Sequence, residues 1–250
     1  MYDLGGRVIA VTGASSGIGR IVAFKAASAG AHVACCGRNY DKLELVRVSL
    51  PGEGHYTYLF DSMDLNGVEK MIVTAVKDMG PLSGVVHSAG ISALRLLRDI
   101  SYDSAMEMMQ INFMVFLALA KGASRRGRYK PSEMSVVGIS SLAGMYPDPG
   151  FSVYAASKAA LNASVKSLAK EYASRGIRFN AVCPSIVNTP MKENFTAFIG
   201  ENAFNEKIEK GMPLGLIEPD DVANSVLFLL SDESNKISGA LIEINSGGSF

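Results

Sequence analysis

The chain has no tryptophan, three cysteines and three histidines in 250 residues, and each scarcity removes a class of function. Cys35 and Cys36 are adjacent and Cys183 lies far along the chain, so no disulfide framework can be drawn. Neither these cysteines nor His32, His55 and His87 follow a metal-ligand spacing, and no metal site is expected. Net charge is absent too. Lys+Arg and Asp+Glu both total 24, which leaves no positive field of the kind that attracts nucleic acid or an anionic membrane. The basic cluster Arg125, Arg126, Arg128 and Lys130 reads as a solvated turn. Long apolar runs are missing: the longest, Phe113 to Ala120, is far too short to cross a bilayer, and the N-terminus with Asp3 lacks a cationic-then-apolar signal pattern. The expectation is a cytoplasmic protein with neither nucleic acid nor membrane as partner.

What is present is alternation. Apolar runs at Arg7–Thr12, Ala31–Cys36, His55–Phe60, Ser83–His87, Met134–Ser140, Arg178–Cys183 and Ala240–Ile244 read as seven strands. Helical patterns fall between them at Ile18–Ala29, Asp41–Val48, Asp64–Met79, Tyr102–Ser124, the run that carries Tyr154, and Asp220–Leu230. Strand–helix alternation with short connections predicts an α/β fold with a mainly parallel sheet covered by helices on both faces. Right-handed crossovers then make it doubly wound, with ligands at the carboxyl ends of the strands. No internal repeat or low-complexity linker divides the chain, so one domain over residues 1–250 is expected. The interval 188–216, bounded by Pro190 and Pro213, sets Met191, Phe195, Phe198, Phe204, Ile208 and Met212 between charges. Two short amphipathic helices there would form a substrate lid, or an ordinary packed excursion.

Thr12-Gly13-Ala14-Ser15-Ser16-Gly17-Ile18-Gly19 lies between the first strand and the first helix. Glycines let the backbone approach a pyrophosphate, and the helix start offers unpaired N–H groups and the positive end of its dipole. The spacing is neither G-x-G-x-x-G nor a P-loop, yet the strand–turn–helix context fits phosphate binding. At the end of the second strand, where NAD-binding folds usually place a carboxylate for the ribose 2′-hydroxyl, stand Gly37, Arg38 and Asn39. A guanidinium grips a 2′-phosphate that a carboxylate would repel, so NADP(H) is favoured over NAD(H); an exposed loop arginine is the alternative.

Phe151 to Leu161 sets a phenol, Tyr154, and an ammonium, Lys158, four residues apart on one helix face. A fixed cation favours a phenolate and brings tyrosine toward useful acid–base range. Tyr154, Leu161, Val165, Leu168 and Tyr172 also follow helical spacing, so taken alone Tyr154 could simply begin a core stripe.

Together these residues resemble the short-chain dehydrogenases/reductases of the single-domain type, including 3-oxoacyl-ACP reductase-like members, over almost the whole chain. Thr12 to Gly19 matches the family's T-G-x-x-x-G-x-G loop. Asp61 matches the acidic residue that contacts adenine, and Ser88-Ala89-Gly90 the end of its N-N-A-G segment. Asn112 falls at the helix asparagine, Ser141, thirteen residues before Tyr154, at the active-site serine, and Tyr154-x-x-x-Lys158 at the catalytic pair. Pro184 to Thr189 resembles the P-G-x-x-x-T segment, whose threonine touches the nicotinamide carboxamide.

The resemblance implies a Rossmann-type sheet of seven strands and hydride transfer between a nicotinamide cofactor and a carbonyl or carbinol carbon. Cofactor contacts would come from Gly13, Ser15, Ser16, Gly17, Ile18, Gly19, Arg38, Asp61, Ser88, Ala89, Gly90, Tyr154, Lys158, Pro184, Val187 and Thr189. Tyr154 would be the general acid/base, Lys158 would lower its pKa and bond the ribose, and Ser141 would hold the substrate oxygen. Asn112 would hold a water that relays protons to Lys158. A 3-oxoacyl thioester, a keto-sugar or a steroid would be the carbonyl/alcohol substrate; a non-catalytic nucleotide-sensing protein would not need all four residues. His87 and Ser88 stand where the family usually has asparagines, and Ser185 where it has glycine. His87 reads as a packed residue rather than a base, and Ser140 as a rival to Ser141 set aside on spacing. Finally, between Ala105 and Ala120 only Glu107, Gln110 and Asn112 are polar, more apolar surface than one sheet face covers. With Ala156, Ala160, Ala163 and Ser167 on the next helix, this predicts a homodimer or homotetramer.

Overall fold

The computed structural model describes residues 2–248, except for the side chains of residues 194, 198 and 207–209. Two expected lid side chains, Phe198 and Ile208, therefore lie outside the described residues. Seven strands form one sheet: β1 Val8–Thr12, β2 His32–Gly37, β3 Tyr56–Leu59, β4 Gly84–His87, β5 Ser135–Ile139, β6 Arg178–Pro184 and β7 Leu241–Ile244. Their order is β3-β2-β1-β4-β5-β6-β7, and every pairing is parallel rather than mainly so. The middle strands β1, β4, β5 and β6 are buried along their whole length, which is why they read as continuous apolar runs rather than alternating ones.

Helices α1 Gly17–Ser28 and α2 Tyr40–Ser49 follow β1 and β2, and α3 Leu65–Met79 follows β3. Next come α4 Tyr102–Met109, α5 Val115–Ala123, α6 Ser152–Tyr172, α7 Pro190–Ile199, α8 Glu201–Gly211 and α9 Pro219–Leu230. One core, with Ile72, Phe116, Leu161 and Phe179, lies under α3, α5 and α6. The other, with Ile9, Val22, Val33 and Val226, lies under α1 and α9. After β3 the chain returns to the far side of β1, so the order reverses between β1 and β4. Cofactor and substrate clefts of doubly wound sheets open at this place.

The expected helix Tyr102–Ser124 is interrupted. Gln110–Met114 is a wide turn in which the Val115 N–H donates to the Gln110 carbonyl, five residues back. Such turns re-aim a helix locally, and this one contains the buried Asn112. The interval expected to form a lid folds as the two helices α7 and α8, parted by Gly200 at φ +85°. Among the described residues no helix is long and apolar enough to cross a membrane.

Candidate active site

Gly13 and Gly17 adopt φ +68° and +52°, a region that costs a side-chain-bearing residue strain. Crowding is a second constraint. A Cβ on Gly19 would stand 2.4 Å from the Gly13 carbonyl oxygen, and one on Gly13 would stand 2.8 Å from the Ala89 nitrogen. The loop therefore packs directly on the Ser88–Gly90 segment that follows β4, with Thr189 Cγ2 3.4 Å from where a Gly17 Cβ would be. Ser16 precedes α1 without a side-chain cap, so the first-turn N–H groups stay available to a phosphate. This bare, glycine-lined helix start fits the pyrophosphate of a dinucleotide.

Ile18, Ser88, Gly90, Pro184, Val187 and Thr189 line the same cleft as Ser141, Tyr154 and Lys158, a space of about 510 Å³. Arg38 and Asp61 are not part of its lining. They stand exposed beyond the carboxyl ends of β2 and β3, which pair as far as Gly37 and Leu59. Among the described residues Arg38 has no ion-pair partner, while Asp61 accepts the Met63 N–H at 2.9 Å.

Tyr154 and Lys158 occupy the first turns of α6, and Ser141 follows β5. The Ser141 hydroxyl lies beside the Tyr154 phenol and pulls its pKa down against burial; it donates to the Pro184 carbonyl at 3.5 Å and accepts the Ala143 N–H at 3.2 Å. Ser140 lines the same cleft but is buried, its hydroxyl donating to the Lys158 carbonyl at 3.4 Å. Lys158 is 5% exposed and donates to the Ile139 carbonyl at 2.8 Å. Burial pulls its pKa down to about 8.

Burial dominates at the Tyr154 phenol and raises its pKa, against the opposing pull of the Ser141 hydroxyl. The Lys158 ammonium is held on Ile139 and lies 5.7 Å from the Tyr154 ring centre. The Asn112 side chain, for its part, is committed to protein. Its Oδ1 accepts the Ile91 N–H at 2.9 Å, and its Nδ2 donates to the Ile91 carbonyl at 2.9 Å and to Ser157 Oγ at 3.0 Å. The side chain thereby anchors the segment at Ile91 to α6.

Sequence reasoning passed over Ser157, which bonds Asn112 and donates to the Tyr154 carbonyl at 2.7 Å. A polar residue three positions along the helix from Tyr154 was the available signal. It also passed over most of the apolar wall formed by Leu94, Leu142, Tyr146 and Phe151, to which α7 adds Met191 and Phe195. Aromatic contacts run from Tyr154 to Phe151 at 5.8 Å and on to Phe195 at 5.9 Å, so the expected lid packs onto the helix that carries the phenol.

The family model described as Enoyl-(Acyl carrier protein) reductase matches residues 13–249. The chain is 33% identical to 3-oxoacyl-[acyl-carrier-protein] reductase FabG of Thermotoga maritima over 248 residues, 98% of each chain. The chain belongs to the short-chain dehydrogenase/reductase family. It is also 32% identical to L-xylulose reductase of Caenorhabditis elegans, over 98% of this chain and 97% of that one. Among solved structures, a short chain dehydrogenase from Burkholderia cenocepacia in complex with NADP superposes with a TM-score of 0.87 at 28% identity, covering 98% of both chains. As a short-chain dehydrogenase/reductase, this protein is an oxidoreductase that uses a nicotinamide cofactor on CH–OH or C=O groups of small molecules.

Proposed function

We propose that this protein is an NADP(H)-dependent reductase that turns a carbonyl into a secondary alcohol, with Tyr154 as general acid. The observation that carries the reading is that Ser141 and Tyr154 line one cleft with the buried Lys158. The nicotinamide supplies the hydride. Tyr154 delivers the proton to the carbonyl oxygen, and its burial keeps that proton in place at neutral pH. Ser141 donates to the same oxygen and stabilises the charge that develops on it. Lys158, positively charged below about pH 8, stabilises the phenolate left behind and bonds the cofactor ribose. Asn112 holds the segment at Ile91 against α6 through Ser157. The reverse oxidation uses the same groups, but a reduced NADPH pool favours reduction. A nucleotide sensor on this fold would have no use for the four residues brought together here.

Residues 188–216 act as the lid of a single domain in this reading. Leu94, Leu142, Tyr146, Phe151 and Phe195 favour a carbonyl that carries an apolar group, an acyl thioester or a steroid-like ketone, over a polyhydroxylated keto-sugar. NADPH oxidation across a panel of acyl, sugar and steroid ketones tests this, with the apolar ketones expected to turn over fastest. Cofactor choice is tested separately. Arg38, exposed and without an ion-pair partner among the described residues, is free to hold a 2′-phosphate, so Arg38→Ala should raise the NADPH Michaelis constant about tenfold and leave that of NADH unchanged. Equal efficiency with NADH in the wild type would refute the preference.

The protein is further read as a homodimer or homotetramer. Met106 is 69% exposed, Phe113 and Leu117 are half-buried, and Ala156, Ala163 and Ser167 of α6 are exposed. These surfaces can pair about a two-fold axis. Sedimentation at micromolar concentration should show no monomer.

A further inference from the structure

We infer that His87 is a positioning residue that links the cofactor loop to the helix turn carrying Asn112 through one directed chain of hydrogen bonds. His87 ends β4 at the reversal point of the sheet, paired with Thr12 of β1 on one side and Gly138 of β5 on the other. Its ring is fully buried and lies 6.1 Å from that of Phe116. Nδ1 is 3.1 Å from Thr12 Oγ1, and Nε2 is 3.3 Å from the Asn112 carbonyl oxygen.

A carbonyl can only accept, so Nε2 carries the proton and Nδ1 is the acceptor. Thr12 then donates its hydroxyl proton to Nδ1, which lies nearer than its other acceptor, the Val86 carbonyl at 3.5 Å, while the same oxygen accepts the Ala89 N–H at 3.3 Å. The chain thus runs Ala89 N–H to Thr12, Thr12 to His87, and His87 to Asn112. Its first member belongs to the segment against which Gly13 packs. Its last lies in the wide turn Gln110–Met114, whose Asn112 side chain continues to Ile91, Ser157 and the Tyr154 carbonyl. Burial and the nearby Lys158 ammonium push the His87 pKa down to about 3, against the pull of the Asn112 and Ile111 carbonyls. The ring therefore stays neutral and keeps one tautomer throughout the working pH range. A neutral imidazole with a donor on one side and an acceptor on the other can register the two halves of the site; an apolar side chain of equal size fills the space without registering anything.

The inference rests on the proposed function for its kinetic consequences but not for its geometry, and the two are tested apart. In 15N-histidine-labelled protein free of cofactor and substrate, His87 should show the neutral Nε2–H tautomer, unchanged from about pH 5 to pH 8. An Nδ1–H tautomer, or a titration in that range, overturns the chain whatever the substrate proves to be. His87→Phe keeps the ring contact with Phe116 and removes both nitrogens. It should raise the NADPH dissociation constant and lower kcat/KM about tenfold or more. His87→Asn, which can still donate and accept, should recover most of that loss. Equal losses in the two variants at matched melting temperature, or an unchanged kcat/KM in His87→Phe, would show that the ring only fills space. Should His87→Phe fail to fold, Thr12→Val removes the middle hydroxyl at constant shape, and it too should weaken NADPH binding about tenfold; unchanged binding overturns the inference.

Discussion

Tyr154→Phe should abolish turnover while the fold, the cleft and NADPH binding survive. The substitution removes one oxygen from a phenol beside the Ser141 hydroxyl, and it retains the ring that packs on Phe151 at 5.8 Å. Without that oxygen neither of its two neighbours takes its place as proton donor. Ser141 also accepts the Ala143 N–H and is no acid at neutral pH, and Lys158 is held on the Ile139 carbonyl. A positioned general acid contributes about 10²–10⁴-fold, and the loss should fall in that range or beyond. The measurement is single-turnover NADPH oxidation with the best ketone of the panel, alongside NADPH binding followed by fluorescence. Substantial residual turnover would remove Tyr154 from the mechanism. Loss of binding as well would mean that the phenol holds the cofactor rather than moving a proton.

The framework for this experiment was legible in the chain because its parts are local. Val8–Val11 is apolar at every position, as a strand buried on both faces requires, and the glycines that follow mark a turn where backbone meets backbone. The division of residues 188–216 into two helices was readable from their amphipathic pattern. What escaped depends on partners far apart in sequence. The wide turn at Asn112 exists because Ile91, Ser157 and His87 take up the polar groups of that residue, and none of these is within twenty residues of it along the chain. The place of Lys158 is set in the same way by Ile139 at the end of β5. A four-residue spacing put ammonium and phenol on one helix face, but it could not say that a strand carbonyl would claim the ammonium.

That claim leads to the second large effect, which has opposite signs in two measurements. Lys158→Met should lose activity about 10²-fold or more, since no charge remains to stabilise the phenolate, and the protein should become more stable. In the native state the ammonium is buried, with a pKa of about 8 in place of its ordinary 10.5; keeping it charged at neutral pH therefore costs about 3 kcal/mol. Methionine removes that cost but leaves the Ile139 carbonyl without its donor, a penalty of about 1 kcal/mol. The net gain of about 2 kcal/mol should raise the melting temperature by about 5 °C for a chain of this size. The pH dependence identifies the cause. Between about pH 8 and pH 10.5 the unfolded lysine binds a proton that the folded one has released, so wild-type stability relative to Lys158→Met rises through that window and is flat below it. The kcat/KM of the wild type for reduction should fall above about pH 8, as the free enzyme loses the same proton. A Lys158→Met variant less stable than wild type at neutral pH, or a stability difference that does not change with pH, would show that the ammonium is already compensated in the fold. In that case its charge would not be strained for the benefit of the site.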